Sequence, residues 1–304
     1  MTAESRGRAK SISVVIPFRG SGHELRRQVA AVAEQIDPIS DEVIVVLNGE
    51  SPENESWLKT SGLTGVRIVH ALERAGASYA RNVGAMHARG EIIAFTDADD
   101  IVQPDWISGI RAAFSSSPRI RAVIGSQRNR VEGVPPAGNF QPPVTLPGGV
   151  LLMQTNNLAV MRETYEYLHG FDEALPYCED RDFSFRFADA GLEYCYAENV
   201  RVDRFMPHEI RRAAGKQANY IWWGHVVNRK HGRRGRSRLP RALVAVCVRA
   251  PFVLTGSRMG RSMLGSTIGV IIGEMKILKT KARPCSSQFF GIRNRRTAIE
   301  AGDS

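Results

Sequence analysis

Little in this 304-residue chain is suited to covalent cross-linking or to crossing a bilayer. Its four cysteines (Cys178, Cys195, Cys247 and Cys285) are widely scattered, with no C-x-x-C pair. Neither a disulfide framework nor a zinc knuckle is therefore expected, and a reducing compartment fits. The opening MTAESRGRAK is polar, and the apolar run that begins at Ile12 is cut by Pro17, short of the roughly 7–15 apolar residues of a secretory signal. No stretch reaches the ~18–20 uncharged apolar residues of a membrane-spanning helix. Acidic residues are scarce beyond residue 200: residues 201–304 hold 22 Lys/Arg against 5 Asp/Glu, net +17, whereas residues 1–200 hold 19 against 26, net −7. The overall charge of +10 thus belongs to the C-terminal third, where it calls for an anionic partner: a membrane surface, a nucleic acid or a polyanionic substrate. That third lacks a recognisable RRM, KH or zinc-finger pattern, which disfavours nucleic acid.

What is present is an alternation of short apolar runs and amphipathic stretches. SISVVIPF (11–18), EVIVVL (42–47), VRIVH (66–70) and EIIAFTD (91–97) read as strands. Between them, residues 22–36 place Leu25, Val29, Val32 and Ile36 on one helical face, and SYARNVGAMHARG forms a second helix stopped by Gly90. This order predicts a largely parallel, twisted sheet covered by helices, with its active site beyond the carboxyl ends of the strands. Residues 132–149 are rich in Pro and Gly and read as a long substrate-facing loop. The expected organisation is a polar tail (1–10), an α/β domain (11–215), a basic and amphipathic helical extension (216–280) and a second polar tail (281–304).

Two acidic groups stand out. In AFTDADD, Asp97 and Asp99 are two apart, so in an extended segment their side chains point the same way. Such carboxylates, with Asp100 beside them, suit a hard cation such as Mg²⁺ or Mn²⁺ that shares its coordination with substrate phosphates. A solvated acidic turn before the helix near Pro104 is the alternative. Further on, Glu179, Asp180 and Asp182 open an apparent helix that ends by Gly191; capping of that helix is one explanation for them.

Five segments in a fixed order point further: VVIPFRG (14–20), EVIVVLNGES (42–51), ASYARNVGAMHARGEIIAFTDADD (77–100), GFDE (170–173) and CEDRDFSFRFADAG (178–191). Together they resemble the family 2 glycosyltransferases of the GT-A fold, over the span Ser11 to His208. The resemblance implies an α/β, Rossmann-like nucleotide-binding domain with a mostly parallel central sheet. It also implies a nucleotide-sugar donor, a divalent cation and an inverting transfer to an acceptor hydroxyl. By position in the motifs, Asp97 contacts the ribose, Asp99 binds the metal and Asp180 is the catalytic base. Pro17 lies in the turn beneath the nucleotide or is simply a strand terminator. Arg81 is either a phosphate or base contact or a plain surface arginine. His208 completes the metal site or is an ordinary surface histidine. Asn157, Glu179 and Trp222 fall on the acceptor side, although Trp222 serves equally well as a core aromatic. One departure stands out: where many relatives carry an Asp that contacts the base, this chain has Leu47 and Asn48, so UDP is not to be assumed.

Beyond residue 228, RKHGRRGRSRLPR (229–241) packs seven Lys/Arg into thirteen residues and precedes two apolar segments. The longest uncharged run there, Ser262 to Gly273, has twelve residues, too short to span a bilayer. Interfacial helices at an anionic membrane are expected, with a packed helical subdomain or an oligomer interface as the alternative. These readings place a peripheral enzyme on the cytoplasmic face of the cell membrane, acting on a glycan or lipid-linked acceptor. A catalytically silent scaffold of the same fold is the competing reading. A sugar nucleotidyltransferase is disfavoured, because no G-x-G-T-R loop follows the first strand.

Overall fold

Both faces of the first strands are buried, so each strand reads as a continuous apolar run rather than an alternating one. A computed structural model describes residues 10–20, 22–136, 138–206, 209–234, 242, 245 and 258–281. Strands β1 (Ile12–Phe18), β2 (Glu42–Leu47), β3 (Val66–His70) and β4 (Ile92–Phe95) alternate with helices α1 (Glu24–Ala33), α2 (Pro52–Thr60) and α3 (Ala77–Met86). Next come β5 (Ile101–Val102), α4 (Trp106–Ser116), β6 (Ile120–Arg130), β7 (Leu158–Met161), α5 (Arg162–Tyr167), α6 (Glu179–Asp189) and β8 (Glu193–Phe205). Two long helices follow, α7 (Ile210–Lys230) and α8 (Arg258–Lys281).

One sheet of order β3-β2-β1-β4-β7-β6-β8-β5 runs through the molecule. The β3-β2-β1-β4 half is parallel, as the strand–helix alternation predicts. β7 enters antiparallel between β4 and β6, while β8 runs parallel to β6. The sheet divides the core into two layers. Beneath it, Val14, Ile16 and Val45 pack with Leu25, Val29 and Val32 of α1 and with Trp106 of α4. Above it, Val15, Ile44, Val46 and Phe95 meet Ala80 of α3 and Phe171, Phe183 and Phe187. Gly84 is what lets α3 lie so close to the sheet: a Cβ there would sit 2.5 Å from Val15 and 2.8 Å from Val46.

Among the described residues of 132–149 there is no strand or helix, and they carry only the bridge Thr145–Leu151 and one to Gln127. The boundary expected at 215/216 falls inside α7, a continuous helix of 21 residues, so the extension grows out of the α/β body without a linker. α8 lies along α7 on a stripe of small residues. A Cβ on Gly265, Gly269 or Gly273 would come within 2.4–2.6 Å of Ile210 O, Ala214 O or Ile221 Cβ respectively. The three glycines recur every fourth residue on one helix face, and their lack of side chains lets the two backbones approach. Among the described residues no helix is long and apolar enough to cross a membrane. The tails 1–10 and 281–304 lie outside the described residues except for residues 10 and 281.

Candidate functional site

Beyond the carboxyl ends of β1, β2 and β4 opens a cleft of about 850 Å³. Pro17, Asn48, Arg81, Asp97, Asp99, Glu179 and Asp180 all line it. The two acidic groups therefore face one space, although Arg81 and Glu179 are 98 residues apart in sequence. Arg81 joins them. It projects from α3, its guanidinium is almost fully buried, and it donates to Asp97 Oδ1 at 2.6 Å and to Glu179 Oε1 at 2.9 Å. Burial works against its charge, but the surrounding carboxylates raise its pKa further still. Of its two readings, the surface arginine is thus excluded.

The neighbouring residue locks the geometry. Asn82 Nδ2 donates to Phe171 O and Glu173 Oε1, while its Oδ1 accepts from Phe171 N and from the Tyr165 hydroxyl. All the hydrogen-bonding capacity of this amide is spent on pinning the GFDE turn (170–173) to α3. That turn leads into α6, whose first residues include Glu179 and Asp180.

Within each acidic group the carboxylates have separate tasks. Asp100 is buried, accepting from Asn156 Nδ2 at 2.8 Å and from Phe205 N at 3.1 Å, so it ties the tip of β4 to the end of β8. Its burial pushes its pKa well up. Asp99 is open to the cleft, yet the protein packed around its mouth, and then the charge of Asp97, raise its pKa. Asp182 points away from the cleft to Arg186, Lys230 and His231. Those partners outweigh its burial and hold its carboxyl below the ordinary range. Asp182 thus fastens α6 to the end of α7. Asp180 faces the cleft. Burial, and then the charge of Glu179, push it up to about 7, in spite of the hydrogen bond it accepts from Arg181 N at 2.7 Å. A carboxylate with that pKa is poised to take a proton near neutrality.

Among the described residues no three His, Cys, Asp or Glu side chains come together to hold a metal by themselves. The donor set nevertheless fits Mg²⁺ or Mn²⁺. Asp99 is an exposed carboxylate crowded by a second negative charge, and such ions are commonly bound by one or two carboxylates with the remaining positions filled by phosphate oxygens and water.

Two of the expected residues stand apart from this arrangement. Asn157 is buried and lies outside the cleft. Its Oδ1 accepts from Trp106 Nε1 at 2.8 Å, and its amide donates to Ser126 O and Val200 O. It joins α4, β6 and β8, with both amide protons spent inside the core. Trp222 does not line the cleft; Trp223 does, one residue and about 100° further around α7. His208 lies outside the described residues. Asn48 does line the cleft, but both amide protons are spent on Ala71 O and Arg74 O, while Oδ1 accepts from Gly76 N. It shapes the loop before α3 and keeps only a spare lone pair for a ligand.

Sequence reading missed the cationic wall. Arg212, Lys216, Tyr220 and Trp223 line the cleft from α7, and Arg19 and Arg74 line it from loops. The signal was available, since 212, 216, 220 and 223 share one helical face. Among the described residues, Arg19, Arg212 and Lys216 form no ion pair, so their charge is open to the cleft.

Comparison with known proteins bears on the family and the fold. Residues 13–143 match the model of "Glycosyl transferase family 2". The chain is 24% identical over 281 residues to the pre-mycofactocin glycosyltransferase of Mycobacterium tuberculosis, covering 88% of this chain and 55% of that relative. It is 33% identical over 132 residues to the glycosyltransferase GlyG of Streptococcus pneumoniae, 42% of either chain. It thus spans about half the length, or less, of these curated relatives. Two solved structures share the fold. The mannosyltransferase PcManGT of Pyrobaculum calidifontis, in complex with GDP-Man and Mn²⁺, superimposes with a TM-score of 0.55 at 18% identity, over 90% of this chain and 88% of that one. Residues 1–349 of TarS from S. aureus give 0.53 at 16% identity, over 88% and 91%.

Proposed function

We propose that this chain, whose residues 13–143 match the model of glycosyl transferase family 2, is a member of that family and moves a sugar from a nucleotide-sugar donor to an acceptor hydroxyl. The observation that carries this reading is the meeting of Asp97 and Asp99 with Glu179 and Asp180 in one cleft, across the buried Arg81. The nucleoside lies against Pro17 and Asn48, with its ribose at Asp97. Asp99 would hold Mg²⁺ or Mn²⁺, a reading supported by the Mn²⁺ in the complex of the similar mannosyltransferase. When bound, that ion neutralises charge on the departing diphosphate.

The chain's own residues supply the rest. Asp180 takes the proton of the acceptor hydroxyl as its oxygen attacks the anomeric carbon. The bond to the diphosphate oxygen breaks on the opposite face, which inverts the anomeric configuration. Arg19 and Arg212 offset the negative charge that accumulates on the leaving group. Glu179 is held by Arg81, so the base beside it keeps its position.

The acceptor is a glycan or lipid-linked precursor, met by a peripheral protein at the cytoplasmic face of an anionic membrane. Ile272, Met275 and Leu278 support this part, being exposed at three-residue spacing on one side of α8. The basic run at 229–241 supports it too, at about 1 kcal/mol per Lys or Arg near anionic lipid. The test is a screen of nucleotide sugars for Mn²⁺-dependent thermal stabilisation of the full chain. One donor is expected to stabilise the wild-type protein, and Asp99→Ala to lose both the Mn²⁺ dependence and the transfer. An unchanged response of Asp99→Ala eliminates Asp99 as the metal ligand.

A further inference from the structure

Asp180 borders a second, smaller cavity as well as the main cleft. This side pocket, about 180 Å³, is lined by Lys216 and Tyr220, which it shares with the cleft, and by Arg204 and Gln217. Leu152 and Ser266 of α8 close its wall. The volume accommodates a phosphate or carboxylate with a few carbon atoms, and is well below the ~300 Å³ at which drug-sized sites begin. Its charge is lopsided. Arg204 and Lys216 make no hydrogen bond or ion pair among the described residues. Arg181 at the wall is engaged with Gly224 O and Asn228 Oδ1 on α7. Asp180 is the pocket's single carboxylate, and it serves as the proton acceptor. Asp97, Asp100 and Asp180 favour the charge of Arg204, and Asp99 faces Lys216, but none of them contacts either side chain directly, so the N–H donors of both remain available to a bound anion.

Resting on the transferase reading above, we propose that the acceptor is anionic, carrying a phosphate or carboxylate that seats on Arg204 and Lys216 in this pocket. The reacting hydroxyl then lies at Asp180, where the pocket opens into the cleft. The arrangement selects a hydroxyl within a few atoms of a fixed negative charge. It also gives α8 a role, since Ser266 completes the wall. Neutral sugars lack the charge-assisted hydrogen bonds that Arg204 and Lys216 offer an anion, and are disfavoured by their loss.

The experiment titrates the full chain, saturated with Mn²⁺ and the nucleoside diphosphate that stabilises it, against matched pairs of probes: glycerol 3-phosphate with glycerol, and glucuronate with glucose. Binding is read by calorimetry. The same titrations are run without nucleotide, so the pocket is judged even if no nucleotide binds. At least one anionic probe is expected to bind tenfold or more tightly than its neutral partner, and Arg204→Gln to abolish that preference while leaving the nucleotide response intact. Equal binding of both members of each pair overturns the proposal. So does an Arg204→Gln variant that keeps the preference, or one that weakens the nucleotide instead, which assigns Arg204 to the diphosphate. Failure of every nucleotide to bind, with the anion preference intact, overturns the transferase reading alone.

Discussion

Asp180→Asn keeps the shape of the side chain and removes the proposed base, so it separates chemistry from architecture. With the carboxyl pushed up to about 7 by burial and then by Glu179, roughly one molecule in ten is ionised at pH 6 and roughly one in a hundred at pH 5. Wild-type log kcat/KM is therefore expected to rise with unit slope up to about pH 7 and to level above it. The effect on stability has the opposite sign to that of a salt-bridged carboxylate. Between 3.8 and about 7 the folded state holds a proton that the unfolded chain has released, so stability falls as pH rises through that window. The full shift corresponds to about 4 kcal/mol. Because Asp180 borders an open cleft, screening by water brings this to about 2 kcal/mol. The asparagine variant escapes that cost, so above pH 7 it is expected to melt higher than wild type, by roughly 4 °C. Its transfer rate is expected to fall by about 10²–10⁴-fold, with the Mn²⁺-dependent response to nucleotide retained. The assays are a pH series of kcat/KM and of thermal melts on both proteins. Strong transfer by the variant, or a wild-type kcat/KM that stays flat between about pH 5 and 8, refutes the reasoning.

Three further outcomes follow from the packing. Arg81→Met leaves Asp97 and Glu179 without their shared cation and is expected to cost about 2–4 kcal/mol in denaturant melts; Arg81→Lys does not restore it, because an ammonium lacks the fork that reaches both carboxylates. Asn157→Leu strands Trp106 Nε1 and the carbonyls of Ser126 and Val200, and is expected to cost about 2–4 kcal/mol of stability; KM for the acceptor stays unchanged, whereas a selective rise in that KM returns Asn157 to the acceptor site. Gly269→Val puts a Cβ 2.4 Å from Ala214 O and is expected to pry α8 from α7 at a cost of about 1–3 kcal/mol, read as faster proteolytic cleavage within 258–281.

How far the chain could be read depended on how local each feature is. Strands β1, β2 and β4 were visible because they are buried on both faces and so run largely apolar, and the amphipathic face of α1 was visible because 3.6-residue spacing is a property of neighbours. β7 was not foreseen as an antiparallel insertion between β4 and β6, since its four apolar residues, Leu158–Met161, carry no mark of direction. The ends of helices also shifted: residues 22–36 became Glu24–Ala33, with Ile36 still buried from the turn that follows. At the site, the residue types were legible but their partners were not. Asn157 and Asn48 look alike as loop amides; the first is consumed by three buried groups on α4, β6 and β8, and the second holds a loop at the edge of the cleft. Trp222 and Trp223 are adjacent in sequence and differ only in the rotation of α7.

By itself, then, the order of residues determined the strand–helix alternation, the acidic chemistry at Asp97, Asp99 and Asp180, and the basic character of the C-terminal third. Folding in three dimensions decided that the two acidic groups share a cleft, that Arg81 clamps them together, and that α7 turns Arg212 and Lys216 toward the same space. The reason is one of range. Periodicity and side-chain type act over a few residues, whereas the clamp closes a gap of 98 residues, and the packing of α3 and α6 on one sheet face is what closes it.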